Sequence, residues 1–344
     1  MKILRSYSVL LLFLTAASLF IANLSLGNVQ IPFSQIALGL SGQEIEKEIW
    51  SNIFYYFRLP RALSAVFVGV GLAVSGLQMQ TLFRNPLAGP FVLGISSGAS
   101  LGVAILVLAS YSFGGWLSGA AISSWATVFA ASLGSGFVFF IILFISFRIK
   151  DTMGLLIIGI MMASIAGSIV GFLQYFSSAE QIQVFLIWTF GSLGGIDWVE
   201  LSVFIPVILA GVMIAFFMAK PLNAFVLGDN YAKSLGMNVT RGRILIIIST
   251  CILAGSVTAF AGPIAFIGLA VPHLTRMLFS TADHRKLLPL VALMGAIFLL
   301  ICDIIAQLPG REEVLPINIV TSFVGAPVVI WIILKKRDIK KSLN

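Results

Sequence analysis

The stretch from Arg58 to Gly102 constrains this chain more than any other. It reads RLPRALSAVFVGVGLAVSGLQMQTLFRNPLAGPFVLGISSGASLG. Two arginines precede a long apolar run rich in small residues. A polar break at Arg84-Asn85-Pro86 follows, and a second apolar run begins. Such runs are too long and too apolar for a water-facing helix, and roughly 20 apolar residues span a bilayer.

The pattern continues over all 344 residues, of which 59% are hydrophobic and only 10% charged. An ordinary globular domain carries about 25% charged residues. Apolar runs separated by polar breaks predict ten spans, at 7–27, 61–82, 92–109, 122–147, 153–175, 199–218, 242–260, 263–280, 287–307 and 315–334. Ten spans and short loops use up the chain, so one transmembrane unit over 1–344 is expected, with no soluble catalytic domain. The first run is read as a retained span and not a signal peptide, because it is long and lacks a clear small-x-small cleavage site. Residues 182–196, apolar but short and glycine-rich, are expected to form a partial helix.

The formal net charge of +8 reflects topology, not nucleic-acid binding. With the amino terminus inside and sides alternating, 17 of the 21 Lys and Arg residues fall on inner segments, as the positive-inside rule requires. Both termini are therefore expected in the cytoplasm. The outer segments are acidic, with Lys47, Arg58, Arg61 and Arg311 as exceptions. Cys251 and Cys302 lie in apolar runs and read as small hydrophobes. His273 and His284 show no metal-ligand spacing. No metal site and no cofactor is expected. Gly98/Gly102, Gly167/Gly171 and Gly191/Gly195 recur at the four-residue spacing that lets helices pack closely in lipid.

The longest inner segment, KPLNAFVLGDNYAKSLGMNVTRGR (220–243), is too polar for the bilayer. Pro221 is expected to end the preceding span. Gly228 and Gly236 punctuate a short helix with Leu227, Tyr231 and Leu235 on one face. Such a helix either fits a groove on a soluble partner or caps the bundle.

Several motifs resemble those of FecCD-like permease subunits of type II ATP-binding-cassette (ABC) importers, which take up ferric siderophores, haem and cobalamin. They are Arg58-Leu59-Pro60-Arg61, the GxxLAxSGxxMQ pattern from Gly69 to Gln80, Asn85-Pro86-Leu87-Ala88, Gly94 to Ala99 and Trp188 to Gly194. Leu227-Gly228-Asp229 through Leu235-Gly236, Gly262 to His273, Asp283-His284-Arg285, and Leu315-Pro316 through Gly325-Ala326-Pro327 complete the set, in one order over the whole length.

The resemblance implies an all-α membrane protein of about ten transmembrane helices. It implies a permease, not an enzyme, working as a homodimer in the inner or cytoplasmic membrane. Two ABC ATPase subunits would drive it, and a periplasmic or lipid-anchored substrate-binding protein would deliver an iron-siderophore complex, the family's commonest cargo, or haem or cobalamin. The chain has no GxxxxGK[ST] phosphate loop of its own. By the same resemblance, residues about 221–240 form the coupling helices, with Leu227, Gly228, Asp229, Ala232, Leu235 and Gly236 against the ATPase. Arg58, Arg61 and Arg311 would dock the binding protein, although arginines there also snorkel to lipid phosphates. Gln307 stands where some relatives have a further arginine. Asn85, Leu87, Thr152 and Met153 would form the inner gate. Met161, Met162, Ser164 and Ser168 of the fifth span, with Asn318, Thr321 and Ser322 of the tenth, would line the pathway. The competing class, a secondary ion-coupled carrier, calls for ionisable groups inside the membrane. Here nearly every charge sits at a span end, Asp303 being the main exception.

Overall fold

Apolar runs in lipid must satisfy their own backbone hydrogen bonds, so they fold as helices. The computed structural model describes residues 8–27, 29–109, 124–148, 152–307 and 313–341, and helices are the only regular elements among them. Ser8–Ser25 is α1, Phe33–Leu40 is α2 and Glu48–Asn52 is α3. A π-helical stretch, Ile53–Arg58, leads into α4, Leu59–Leu82. After a 3₁₀ turn at Pro90–Leu93 come α5 (Ile95–Leu108), α6 (Ser124–Arg148), α7 (Thr152–Tyr175) and α8 (Ala179–Thr189). Then follow α9 (Trp198–Phe217), α10 (Ala219–Leu227), α11 (Asp229–Ser234) and α12 (Val239–Ala261). The chain continues through α13 (Ile267–Phe279), α14 (His284–Ala306) and α15 (Ile317–Lys341).

Among the described residues, six helices are long and apolar enough to cross a membrane. Four shorter apolar helices, at Val9–Ser25, Ile95–Leu108, Ile267–Phe279 and Ile317–Trp331, complete the expected series. The second span departs from expectation. Helix runs unbroken from Glu48 to Leu82, well ahead of Arg61. Pro60 removes one backbone donor from this helix, and the widened π turn just before it absorbs the irregularity. Pro221 does not end a span. α9 stops at Phe217, and Pro221 sits in the first turn of α10, where the missing N–H has no intrahelical partner to lose. The eighth span is shorter than its apolar run, because Gly262 to Phe266 stays outside the helix and Phe266 takes a left-handed φ of 67°.

α4 is the axis of the bundle. In its most apolar window 78% of residues are buried, against 22% for α7. Small residues make this possible. A Cβ on Gly76 would run into the Gly268 carbonyl of α13, and one on Gly69 into the Gly295 carbonyl of α14, so backbones touch with no side chain between them. Gly98 and Gly102 of α5 meet Gly134 and Ala130 of α6 in the same way. The other two pairs differ. Gly191, in a turn at φ 72°, packs against the Ala261 carbonyl, 3.1 Å from where a Cβ would sit, and Gly195 lies near the Ser192 hydroxyl. Among the described residues nothing lies within 4 Å of a Cβ on Gly167 or Gly171 of α7. Phe129, Phe137, Phe140, Phe144 and Phe147 stand exposed along α6, an outside that suits acyl chains.

Candidate functional site

At one end of the bundle the chain folds back through α10 and α11. Gly228 breaks the two helices apart at φ 110°, a backbone angle that favours glycine. Leu227, the last residue of α10, and Tyr231 and Leu235, within and just after α11, project on the two sides of this break, 62%, 47% and 59% exposed, while Ala232 is fully buried. Gly236, at φ 77°, closes the segment. The expected single helix face is split: Gly228 puts Leu227 on a different helix from Tyr231 and Leu235, so three apolar side chains stand exposed around one junction, and α11 is anchored from behind.

The anchors are polar. Asp229 begins α11, and its carboxylate accepts from Arg84 Nη2 at 3.3 Å and from Arg243 Nη2 at 3.0 Å. Arg84 leads into the turn at Asn85–Leu87, where Asn85 Oδ1 accepts from the Leu87 N–H at 2.9 Å and Leu87 is exposed. The α11 segment is therefore tied to the turn that was expected to act as a gate.

α10 is held by a second polar knot. Asn223 Nδ2 donates to Asp283 Oδ1, and Asn223 Oδ1 accepts from both the backbone N–H and the Nδ1–H of His284, each at 2.8 Å. That places the ring proton on Nδ1 and turns Nε2 to the Thr81 hydroxyl at 2.8 Å. Asp283 also caps α14, its Oδ1 accepting from the Arg285 N–H. The Asn223 amide, followed by the Arg285 backbone N–H, holds the Asp283 carboxyl below the usual carboxylate range. Both ring nitrogens of His284 are engaged in structure. The aspartate cap before an apolar run was readable in the sequence, but Asn223 and Thr81 carried no local signal.

Of the other expected gate and pathway residues, Met153, Met161 and Ser164 are exposed along α7, whereas Met162 is half-buried. Thr152 begins α7. Ser164 and Ser168 donate to the carbonyls of Ile160 and Ser164 in their own helix, each at 3.0 Å, which leaves no hydroxyl proton free to hold a passing ligand. In α15, Asn318 Oδ1 accepts from the Ala265 N–H at 3.0 Å, and the Asn318 N–H donates to the Phe190 carbonyl. Asn318 thus braces the chain before α13 against the turn after α8. Ser322 is half-buried. Thr321 departs from expectation. It is fully buried and its hydroxyl donates to the Asn318 carbonyl, so it packs and presents no surface of this chain.

At the opposite end, Arg58 and Arg61 were expected to face outward. Arg58 does not. It is 7% exposed, and its guanidinium caps the end of α1 by donating to the carbonyls of Leu24 at 2.7 Å, Ser25 at 3.0 Å and Val29. A cation at a helix C-terminus is favoured by the exposed carbonyls and the helix dipole. Arg61 turns to Asp303, with Nε and Nη2 at 2.9 and 2.8 Å from Oδ1. Asn23 and Gln307 donate to Oδ2 of the same fully buried carboxylate at 2.8 and 2.9 Å. This four-residue cluster joins α1, α4 and α14. It explains why Asp303 lies within a span and why Gln307 fits where some relatives have an arginine. Arg311 lies outside the described residues. Among the described residues no group of three or more His, Cys, Asp or Glu side chains could hold a metal ion.

The chain's likeness to known proteins agrees with this anatomy. The profile of the FecCD transport family matches residues 11–335. The hemin transport system permease protein HmuU of Yersinia pestis is 41% identical over 290 residues, 84% of each chain. The vitamin B12 import system permease protein BtuC of Citrobacter koseri is 38% identical over 283 residues, 82% of this chain and 83% of that protein. A solved structure described as an inward-facing conformation of a metal-chelate type ABC transporter superposes with a TM-score of 0.83 at 29% identity, covering 96% of this chain and 99% of that one. The match over nearly its whole length, with an all-α build and ten apolar helices among the described residues, makes this chain a member of the FecCD transport family: a multi-pass ABC transporter permease subunit, a transport protein and not an enzyme.

Proposed function

We propose that this chain is the conduit of an ATP-driven importer. It moves an iron-siderophore complex, or haem or cobalamin, across the inner or cytoplasmic membrane, with both termini in the cytoplasm. The observation that carries the reading is the exposed Leu227–Tyr231–Leu235 face of the α10–α11 segment, held from behind by Asp229. Three exposed apolar side chains on a short two-helix elbow, in a polar connection between spans, fit a groove on a soluble partner. That partner is the ATPase, two copies of which serve two permeases. Residues about 221–240 then form the coupling region of one transmembrane unit.

The second permease is a second copy of this chain. The open face of α7, with Gly167 and Gly171 unpacked and Ile160, Ser164 and Tyr175 exposed, supports contact there, since small residues let helices of two copies approach closely. A substrate-binding protein meets the opposite end of the bundle. There Arg61, still partly exposed, is the basic docking candidate, with Arg311 a second by its position in the sequence, whereas Arg58 serves α1. Rim charges of this kind steer encounter and fix register.

Co-expression with an ATPase tests the reading. Tyr231→Asp with Leu235→Asp should abolish co-purification while the permease alone melts as before, and co-purification that survives both changes rejects the coupling role. Uptake into proteoliposomes should collapse with vanadate and persist with an uncoupler, the reverse of an ion-coupled carrier. Labelled ferric siderophore, haem and cobalamin offered in parallel identify the cargo.

A further inference from the structure

One pocket is absorbed by none of these roles. It lies at the α11 end of the bundle, between the ends of α4, α10, α13 and α14, and encloses about 370 Å³, within the size range of small-molecule sites. Gln80, Thr81, Arg84, Pro86, Val226, His273, Arg276, Thr281, Ala282 and His284 line it. Two guanidinium groups and two imidazoles face this space, and no carboxylate lines it.

Arg276 is the telling residue. It sits half-buried in the last turn of α13, and among the described residues no carboxylate lies within ion-pair distance of it. Its Nη1 donates to Gln80 Oε1 at 3.1 Å, while Gln80 Nε2 donates to the carbonyls of Gly268 and Leu269. The amide is thereby oriented and the guanidinium aimed. A guanidinium offers five N–H donors in a fixed fork, and a desolvated cation without a counter-ion is unfavourable. Arg84 lines the same space from the turn after α4 and is only loosely engaged, 3.3 Å from Asp229 with its side chain 46% exposed. Two such forks across one pocket match a tetrahedral oxyanion.

We propose that this pocket binds a phosphate group, with Arg276 as its principal ligand and Arg84 as the second. Free phosphate and the headgroup of an anionic phospholipid share that chemistry. The full-length protein in uncharged detergent is titrated with inorganic phosphate against chloride at matched ionic strength, and its melting temperature is followed. In parallel, the protein in phosphatidylcholine nanodiscs with and without phosphatidylglycerol is examined by native mass spectrometry for retained anionic lipid. Saturable stabilisation by phosphate, with the apparent Kd raised at least tenfold in Arg276→Gln and several-fold in Arg84→Gln, identifies a free-oxyanion site. Retention of phosphatidylglycerol lost in the same variants, without a phosphate effect, identifies a headgroup site. Arg84 is exposed, so Arg84→Gln keeps the test open if Arg276→Gln does not fold. Arg148→Gln, an exposed arginine lying over Phe144 and outside the pocket, should change nothing. Absence of both effects, or an equal response in Arg148→Gln and Arg84→Gln, overturns the proposal.

Discussion

Arg61 and Asp303, 242 residues apart in sequence, form a bidentate ion pair in which the carboxylate is fully buried and the guanidinium largely so. Removing one partner leaves the other charged and desolvated, which costs about 3–5 kcal/mol. Asp303→Ala should therefore lower the melting temperature of the purified permease sharply, and it also strands the Asn23 and Gln307 amides. Arg61→Leu combined with Asp303→Leu should recover most of the loss. A double variant no more stable than Asp303→Ala would show that the pair is not the cause.

Asn223→Ala should destabilise by about 2 kcal/mol, because it leaves two donors of buried His284 unpaired. It also has a pH signature. The folded state holds the Asp283 carboxyl below its ordinary range, so this contribution is present above the unfolded pKa of about 3.9 and is lost as pH falls through the lower folded value. The part of the gap between wild type and Asn223→Ala that comes from Asp283 should therefore be constant near neutrality and shrink below about pH 4. Melting curves across that range check it.

Much of this architecture was legible in the residues. Apolar runs announce spans because the bilayer interior tolerates little else, and Leu227, Tyr231 and Leu235 are exposed as their apolar spacing suggested, although the break at Gly228 sets Leu227 on a separate helix. What stayed hidden depends on distant partners. Nothing near Arg58 says that its hydrogen-bond acceptors are the last carbonyls of α1, so a charge that breaks the topology rule was read as a docking residue. Thr321 was assigned to the pathway by the resemblance of the tenth span, yet it is spent on a local hydrogen bond. The start of the second span was missed because the stretch from Glu48 is amphipathic and its continuity with α4 is a matter of packing.

Gly76 and Gly167 should respond oppositely to the same substitution. Gly76→Ala forces a methyl into the backbone of α13, at the upper end of the roughly 1–3 kcal/mol that overpacking costs. Its expression and melting temperature should fall. Gly167→Ala meets nothing among the described residues and should leave the monomer's stability within about 0.5 kcal/mol. If two copies meet at α7, the bulkier Gly167→Leu weakens the dimer, as sedimentation of the permease in detergent will show.

Gly228→Ala carries two penalties, a φ of 110° and a Cβ 3.2 Å from Arg84 Nη1. Strain of this kind costs on the order of 1–3 kcal/mol, and it falls on the α10–α11 junction, not on the spans. The melting temperature should move little, while limited proteolysis within 228–236 should quicken. Unchanged cleavage would mean that the junction relaxes without strain.

The glycine contacts of α4 have a mechanical corollary. Where main chain rests directly on main chain, no rotamer can yield, so α4, α13 and α14 shift together as a single stiff block. Displacement between parts of the molecule is left to the seams cushioned by flexible side chains, above all the sparsely covered flank of α7.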